Sequence, residues 1–255
     1  MVISGSDQIW NPEALDETYL LGWVESGKKC SYGSSLSVNH IPQDMATLYR
    51  ESLAGFKGIS IRDTACRTQL ESIVGRTVTT VVDPVVLLGP SALGERAADI
   101  QKHAYAFCYF LGNNRGHRRT ALKDARQLGL EPIAVINSGS DYRADRDLRN
   151  CADWDVDPWK FAGYIKNASL VFTDSFHATV ISVFMHVDFA VRQKDASRPE
   201  QNNRILEFLD AVGLRDRWEL RDVSQKISPE QWKRADAAID EMRRSSLSYL
   251  LEVLS

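Results

Sequence analysis

The first hundred residues alternate between short apolar runs and longer segments in which apolar residues recur every three or four positions. The short runs predict strands that end in polar turns, and the longer segments predict amphipathic helices. The predicted strands lie at residues 1–3, 28–34, 58–61 and 78–82, and the predicted helices at 41–56 and 63–74. This rhythm is typical of a mostly parallel sheet flanked by helices.

A polar, alanine-rich stretch at residues 90–102 precedes a second part of the chain with the same rhythm. Strands are predicted there at 105–111, 132–136, 170–172 and 187–191, and helices at 115–128, 157–168, 178–186 and 202–212. Residues 137–155 alternate in charge, which is typical of a loop or a solvated helix, and 228–254 form a helical tail. We therefore predict an α/β fold with lobes at residues 1–95 and 96–230, and a segment at 231–255 that packs back on them.

Composition narrows the classes of function. The 255 residues carry a net charge of -3, so there is no general positive field to attract nucleic acid. The apolar runs are shorter than the roughly 20 residues of a membrane helix, and no basic and apolar export signal begins the chain. These features predict a cytoplasmic protein with no nucleic-acid partner and no transmembrane segment.

A strand, a polar turn and an apolar helix follow one another at residues 170–184, where Asp174, Ser175, Phe176 and His177 mark the junction. In open α/β sheets ligands bind at such junctions, and a helix N-terminus can hold a phosphate or carboxylate to which a histidine adds a proton. A Ser or Asp cap with a histidine packed nearby explains the same pattern. Both interpretations stay open on the pattern alone.

Arg62 follows the predicted strand at 58–61. Its guanidinium could bind a carboxylate or phosphate in bidentate fashion, or it could form a salt bridge with Asp63 or the adjacent helix.

The turn after the first strand contains four candidates for contact with a sugar: Asp7, Gln8, Trp10 and Asn11. Asp7 could bind hydroxyl groups and Trp10 could stack on a pyranose ring; the alternative is a capped turn with a core tryptophan. Basic residues after the strand at 187–191 would face the same cleft or a solvated loop: Arg192, Lys194, Arg198 and Arg204.

Several catalytic classes lack their motifs. The sequence has no G-x-G-x-x-G after a strand, no phosphate-binding G-x-x-x-x-G-K-[ST], no G-x-S-x-G and no C-x-x-C pair. The histidines have no spacing typical of a metal site.

Five motifs together give the chain a resemblance to a known family: G-S-D-Q-I-W-N-P at 5–12, Y-G-S-S at 32–35, S-I-R-D at 60–63, V-D-P-V-V-L-L at 82–88 and T-D-S-F-H-A at 173–178. In order and spacing the chain resembles the polysaccharide pyruvyl transferase family from residue 5 to about 204. The resemblance implies two Rossmann-like lobes facing across a cleft, as in B-type glycosyltransferases. It also implies phosphoenolpyruvate as donor and a pair of sugar hydroxyls as acceptor.

The resemblance also implies roles for particular residues. Arg62 and His177 are expected to contact the donor from one cleft, with Ser175, Phe176 and Arg204 as further donor-side candidates. His177 is the expected acid, and Asp7 or Asp174 would orient or deprotonate the acceptor, which Gln8, Trp10 and Asn11 would help to bind. Phosphoenolpyruvate is a co-substrate, and neither a cofactor nor a metal is expected. The acceptor would be a sugar or a lipid-linked oligosaccharide, which is compatible with peripheral membrane association.

Two departures from the family pattern modify these expectations. Ser175 stands where many relatives have arginine, and the β-α-β stretch that usually precedes the G-S-D turn is missing. We therefore expect an N-terminally truncated first lobe with exposed apolar surface near Val2 and Ile3. Two other functions stay open: a sugar-nucleotide-dependent glycosyltransferase of the same fold, and a non-catalytic sugar-binding relative.

Overall fold

The computed structural model describes residues 1–5, 7–100, 103–137, 143–194 and 202–255. They form two compact units: the first combines Met1–Leu87 with Asp240–Ser255, and the second is Leu88–Ile239. Both units alternate parallel strands with helices, which confirms the predicted α/β class. No helix among the described residues is both long enough and apolar enough to cross a membrane.

The first unit contains four short parallel strands. β1 pairs with β2 and β3 pairs with β4, and parallel bridges from Lys29 to Phe56 and from Ser34 to Ile61 place β2 beside β3. Ile3, on β1, is 45% exposed, as predicted for this part of the sheet. The strands are β1 Val2–Ser4, β2 Lys29–Ser31, β3 Ser60–Ile61 and β4 Thr79–Thr80.

Helices complete this unit. Tyr49 and Leu53 from α1 and Leu70 from α2 are fully buried in a core that also contains Trp10 and Phe56. The helices are α1 Ala46–Leu53, α2 Arg67–Val74 and, at the boundary between the units, α3 Pro84–Leu88. α1 and α2 are shorter than the predicted helices, because turns or 3-10 helix replace α-helix at their ends. α3 was not predicted and lies within the V-D-P-V-V-L-L motif.

Residues 240–255 belong to the first unit although they are far from it in sequence. They form the last part of a 26-residue helix, Pro229–Leu254, which we number α9. Tyr249 Oη donates to the carbonyl of Ser31 at 2.8 Å, and Ser246 Oγ accepts from the Val82 amide at 3.0 Å. Tyr249 and Val253 also pack into a small core with Cys30, Tyr32 and Val81. The C-terminal segment is therefore part of this unit's interior.

The second unit contains one five-stranded parallel sheet in the order β7-β6-β5-β8-β9. The chain enters at the centre with β5, adds β6 and β7 on one side and then returns to add β8 and β9 on the other. The strands are β5 Tyr105–Phe110, β6 Glu131–Ile136, β7 Ala152–Asp153, β8 Leu170–Thr173 and β9 Phe189–Val191. The order reverses between β5 and β8, which is the arrangement of a Rossmann-like sheet.

Four helices connect and cover these strands, and a fifth precedes them. They are α4 Pro90–Arg96, α5 Arg115–Gln127, α6 Pro158–Lys166, α7 Phe176–Phe184 and α8 Asn203–Ala211. The helix α4 lies in the stretch predicted as a polar connection. Gly89 and Pro90 start it, and Leu93 buries it against the unit.

The segment at 143–153 is not a solvated loop. It forms turns of 3-10 helix at Ala144–Asp147 and Arg149–Cys151 and then the edge strand β7, with Ala144, Asp145 and Leu148 almost fully buried. The two aspartates of the charge pattern, Asp145 and Asp147, are paired with arginines of α5 instead of being hydrated, and this pairing is why the prediction was wrong. Residues 138–142 lie outside the described part of the chain.

Three arginines on α5 hold this segment. Arg118 is fully buried, donates from Nε to Asp145 at 2.7 Å and lies over the ring of Phe110. Arg115 binds Asp147 through two hydrogen bonds of 2.7 and 2.8 Å, and Arg119 adds a third contact at 3.1 Å. The basic face of α5 therefore serves, in part, to position a neighbouring acidic turn.

Replacing Asp145 by alanine leaves the buried Arg118 charge without this partner, so we expect a loss of about 3–5 kcal/mol in the free energy of unfolding. The matched control is Asp210→Ala, which removes an ion pair to Arg215 that is about half exposed; it should change stability by less than about 1 kcal/mol. Urea unfolding measures both. Similar losses for the two variants would contradict a structural role for the buried pair.

The pKa of Asp147 is lowered to about 2, chiefly by the hydrogen bonds from Arg115 and then by the hydrogen bond from Arg119. Because this pKa is below that of an unfolded aspartate, about 4, the stabilisation is complete above pH 4 and is lost as the pH falls through 2. Arg115→Gln should raise the pKa of Asp147, so that the loss begins at higher pH. Carboxyl-carbon NMR titration of Asp147 measures the shift, and an unchanged pKa would refute the assignment.

Candidate functional site

The strands of the first unit all end at one edge of their sheet, and a glycine or charged residue follows each of them within three positions: Gly5, Gly33, Arg62 and Asp83. At Gly5 a β-carbon would lie 2.2 Å from the backbone oxygen of Tyr32, so only glycine fits. Gly33 has a φ of +60° and lies beside the side chain of Arg62. The two glycines let the turns after β1 and β2 approach the end of β3.

Arg62 lies at the centre of this edge. Its side chain is only 5% exposed; Nη1 donates to Oδ2 of Asp83 and Nη2 donates to Oδ1 of Asp7. The alternative predicted from the sequence, a bond to the neighbouring Asp63, is not what the structure contains. Asp63 instead accepts from Ser35 Oγ and from the amides of Leu36 and Ser37, at 2.7–3.1 Å.

The partnership of Arg62 and Asp83 was missed by the sequence analysis. Asp83 is 4% exposed and its other oxygen, Oδ1, accepts from the Val85 amide at 2.9 Å at the start of α3. The Asp-Pro pair directly after a predicted strand was the available signal, because an aspartate in that position commonly caps a following helix.

The four residues predicted to bind the acceptor differ in accessibility. Asp7 and Gln8 are exposed, whereas Trp10 is fully buried, with its ring edge against Phe56. The side chain of Asn11 is largely buried and accepts from the Glu13 amide. The stacking role for Trp10 therefore has to be corrected: the indole is a core group, and the capped-turn alternative describes this segment.

In the second unit the order of strands reverses between β5 and β8, and Asp174, which follows β8, joins the ends of these two strands. The residue is 1% exposed, and its two carboxylate oxygens accept from the amides of Leu111, at 2.5 Å, and Gly112, at 2.9 Å. Burial raises the pKa of Asp174. Both oxygens already hold the end of β5 beside that of β8, so the predicted role of Asp174 as a base for the acceptor has to be corrected to one of positioning.

Ser175 begins helix α7. It is buried, its backbone amide donates to Thr173 Oγ1 at 3.0 Å and its Oγ accepts from the Ala178 amide at 3.4 Å. The capping role that sequence reasoning left open is the one observed. As a buried cap Ser175 has little freedom to contact a ligand through its hydroxyl.

His177 lies in the first turn of α7 and is half-buried. Its ring meets the edge of Phe176 with a centroid distance of 5.5 Å, and the guanidinium of Arg204, from α8, lies 5.3 Å from the centroid of Phe176. The structure thus brings together His177, Phe176 and Arg204, three of the residues predicted on the donor side. Two groups able to carry positive charge flank one aromatic ring.

The other predicted basic residues have contacts of their own where the structure describes them. Arg192 is 7% exposed and donates to the carbonyl of Leu220 at 2.8 Å, which makes it a structural residue. Lys194 is half-buried, and its backbone amide donates to Asn202. Arg198 lies outside the described residues. Within the described ranges no group of three or more histidine, cysteine or acidic residues is arranged to hold a metal ion.

Comparison with known proteins decides the family. The sequence profile of the polysaccharide pyruvyl transferase family matches residues 1–191, about three quarters of the chain. The chain belongs to the polysaccharide pyruvyl transferase family. The matched range includes Asp7, Arg62, Asp83 and His177, whereas Arg204 lies beyond it.

Among curated proteins no match was found. Two solved structures are similar to this family member. One, from Listeria monocytogenes, is assigned as a UDP-N-acetylglucosamine 2-epimerase; it is 11% identical with a TM-score of 0.42, over 88% of this chain and 68% of that one. The other is described as the glycotransferase of kitacinnamycin; it is 10% identical with a TM-score of 0.43, over 89% and 70%.

The sequence analysis also missed the structural role of Gly112. The available signal was a glycine directly after the predicted strand at 105–111. A β-carbon there would lie 2.0 Å from the backbone oxygen of Lys194, so Gly112→Ala should force the turn apart and lower the free energy of unfolding by about 1–3 kcal/mol. Gly94→Ala is the control, since a β-carbon there makes only ordinary contacts with Met185. Thermal unfolding of both variants tests this, and equal stability would show that the turn tolerates displacement.

Proposed function

We propose that this pyruvyl transferase family member moves the pyruvyl group of phosphoenolpyruvate onto two hydroxyls of a sugar in a cell-surface or exopolysaccharide precursor, forming a ketal. The observation that carries the proposal is the nearly buried Arg62 at the strand ends of the first unit. A guanidinium fixed in this way is suited to a carboxylate or phosphate, and phosphoenolpyruvate has both.

Helix α7 supports the proposed binding of the phosphate group of the donor. The amides in the first turn of a helix have no partners within the helix, and the helix dipole places partial positive charge there. His177 stands in this turn beside Phe176, with Arg204 on the same ring. In the proposal His177 binds the phosphate and acts as general acid, and Arg204 adds positive charge.

The chemistry has two steps. First, His177 gives a proton to C3 of phosphoenolpyruvate, the double bond is consumed, and C2 becomes electrophilic. A sugar hydroxyl oxygen bonds to C2 and its proton passes to a base, for which Asp7 is the exposed carboxylate of the candidate set.

In the second step the other hydroxyl oxygen bonds to C2, the bond from C2 to the phosphate oxygen breaks, and the phosphate leaves with the electron pair. The proton of this hydroxyl returns to His177, which restores the acid. The proton on Asp7 leaves with the phosphate. One phosphoenolpyruvate and two hydroxyls thus give one ketal and one hydrogen phosphate, with no change of oxidation state and no requirement for a metal.

The donor assignment is tested by calorimetric titration with phosphoenolpyruvate, which requires no acceptor. Arg62→Lys keeps the charge but loses the planar fork, so it should weaken donor binding by about 1.5–3 kcal/mol. His177→Ala should lower the rate of phosphate release by roughly 10²–10⁴-fold, the usual range for loss of a general acid. The rate is measured in single turnover with a series of p-nitrophenyl hexopyranosides as acceptors.

His186→Ala is a matched control, because His186 follows the other end of α7, where it stacks on Trp232 and bonds to Asp236. It should lose no activity at temperatures where the fold is intact. Near-wild-type transfer by a folded His177→Ala enzyme would remove His177 from the mechanism. Turnover with UDP-glucose in place of phosphoenolpyruvate would favour the glycosyltransferase alternative.

A further inference from the structure

Two carboxylates of very different exposure neutralise Arg62. The side chain of Asp83 is 3% exposed, whereas that of Asp7 is 41% exposed. Asp83 is held in place from both sides, because Oδ2 accepts from Arg62 and Oδ1 accepts from the Val85 amide. Asp83 is therefore a fixed partner that sets the position of the guanidinium.

Asp7 is the more accessible of the two carboxylates. It lies in the exposed turn after β1, next to Gln8, whose φ of +58° belongs to a region that side chains other than glycine rarely adopt. On the Asp7 side the pair is open to water and salt, which compete with it. Exchange of the Asp7 carboxylate for another anion would keep the buried charge of Arg62 neutralised and would therefore disturb the fold little.

The geometry of the fork indicates where such an anion would bind. A guanidinium presents Nε and Nη2 along one edge, which is suited to two parallel hydrogen bonds from one carboxylate or phosphate. Asp7 accepts from Nη2, and Nε is buried with no hydrogen-bond partner within the described part of the chain. A buried donor without a partner is unfavourable, and a bidentate anion on this edge would satisfy it.

We propose that Asp7 is an exchangeable counter-ion of Arg62: a carboxylate or phosphate group of the donor replaces it on the edge formed by Nε and Nη2, while Asp83 stays bound to Nη1. The inference rests on the proposed function, in which Arg62 holds an anionic group of phosphoenolpyruvate. It adds that the protein's own carboxylate competes with the donor for that place.

The exchange has a consequence for the order of events. While Asp7 is bound to Arg62, its Oδ1 accepts from Nη2 and is not available to a sugar hydroxyl. Displacement by the donor leaves that carboxylate beside the newly bound anion, where it can accept a hydroxyl proton. The base for the acceptor then becomes available only after the donor has bound.

The test is calorimetric titration of the full chain with phosphoenolpyruvate. Asp7→Asn removes the competing charge, so it should bind the donor about tenfold more tightly, a gain of 1.4 kcal/mol. Its kcat for phosphate release should fall while its KM for phosphoenolpyruvate also falls. Asp83→Asn should bind more weakly, because the guanidinium loses its fixed partner. Asp7→Ala repeats the test with a side chain that has no polar group.

Asp44→Asn is the control for net charge, since Asp44 is an exposed aspartate of the same unit; its donor affinity should equal that of the wild type. Unchanged or weaker donor binding by both Asp7 variants, with Arg62→Lys still impaired, would overturn the exchange and leave the proposed function standing. Wild-type donor affinity in Arg62→Lys would instead overturn the donor assignment itself, and with it this inference.

Discussion

In a parallel sheet every strand ends at the same edge, and the polar groups there have to be bonded by something other than the sheet. Both units of this protein meet that constraint with side chains from neighbouring strands. In the second unit, the carboxylate of Asp174 after β8 binds the two amides after β5. In the first unit, Arg62 after β3 binds the aspartates that follow β1 and β4. The candidate groups for chemistry are positioned by these cross-strand bonds.

The free-energy cost of burying a charge explains why some residues predicted for the site are structural. A buried charge is tolerated when a partner of opposite sign or a set of hydrogen-bond donors surrounds it. Asp174 has its two amides and Arg192 has a backbone carbonyl; Arg118, which was not a predicted site residue, has Asp145. Asp7 and His177 stay accessible, and the proposed contacts with the donor are therefore assigned to residues of this kind.

The rhythm of the elements and the positions of the strand ends could be predicted from the sequence, because they depend on local periodicity and turn residues. The pairing of side chains could not, because it depends on the order of strands in the sheet. The sequence suggested Asp63 or the adjacent helix as protein partners of Arg62, whereas the observed partners lie 55 and 21 positions away. Trp10 likewise has the same local pattern whether its ring faces solvent or, as observed, the core.

The C-terminal segment has a consequence for how the chain is made. Residues 1–87 emerge from the ribosome before residues 240–255, but their unit requires both. Tyr249 bonds to Ser31, and one methyl group of Val253 fills the space that a side chain at Gly58 would need. The first unit therefore cannot complete its core during early synthesis. The second unit is continuous from Leu88 to Ile239, so it can fold before the first unit is complete. A ribosome that stalls late in translation would therefore leave the strands of the first unit exposed to chaperones or proteases.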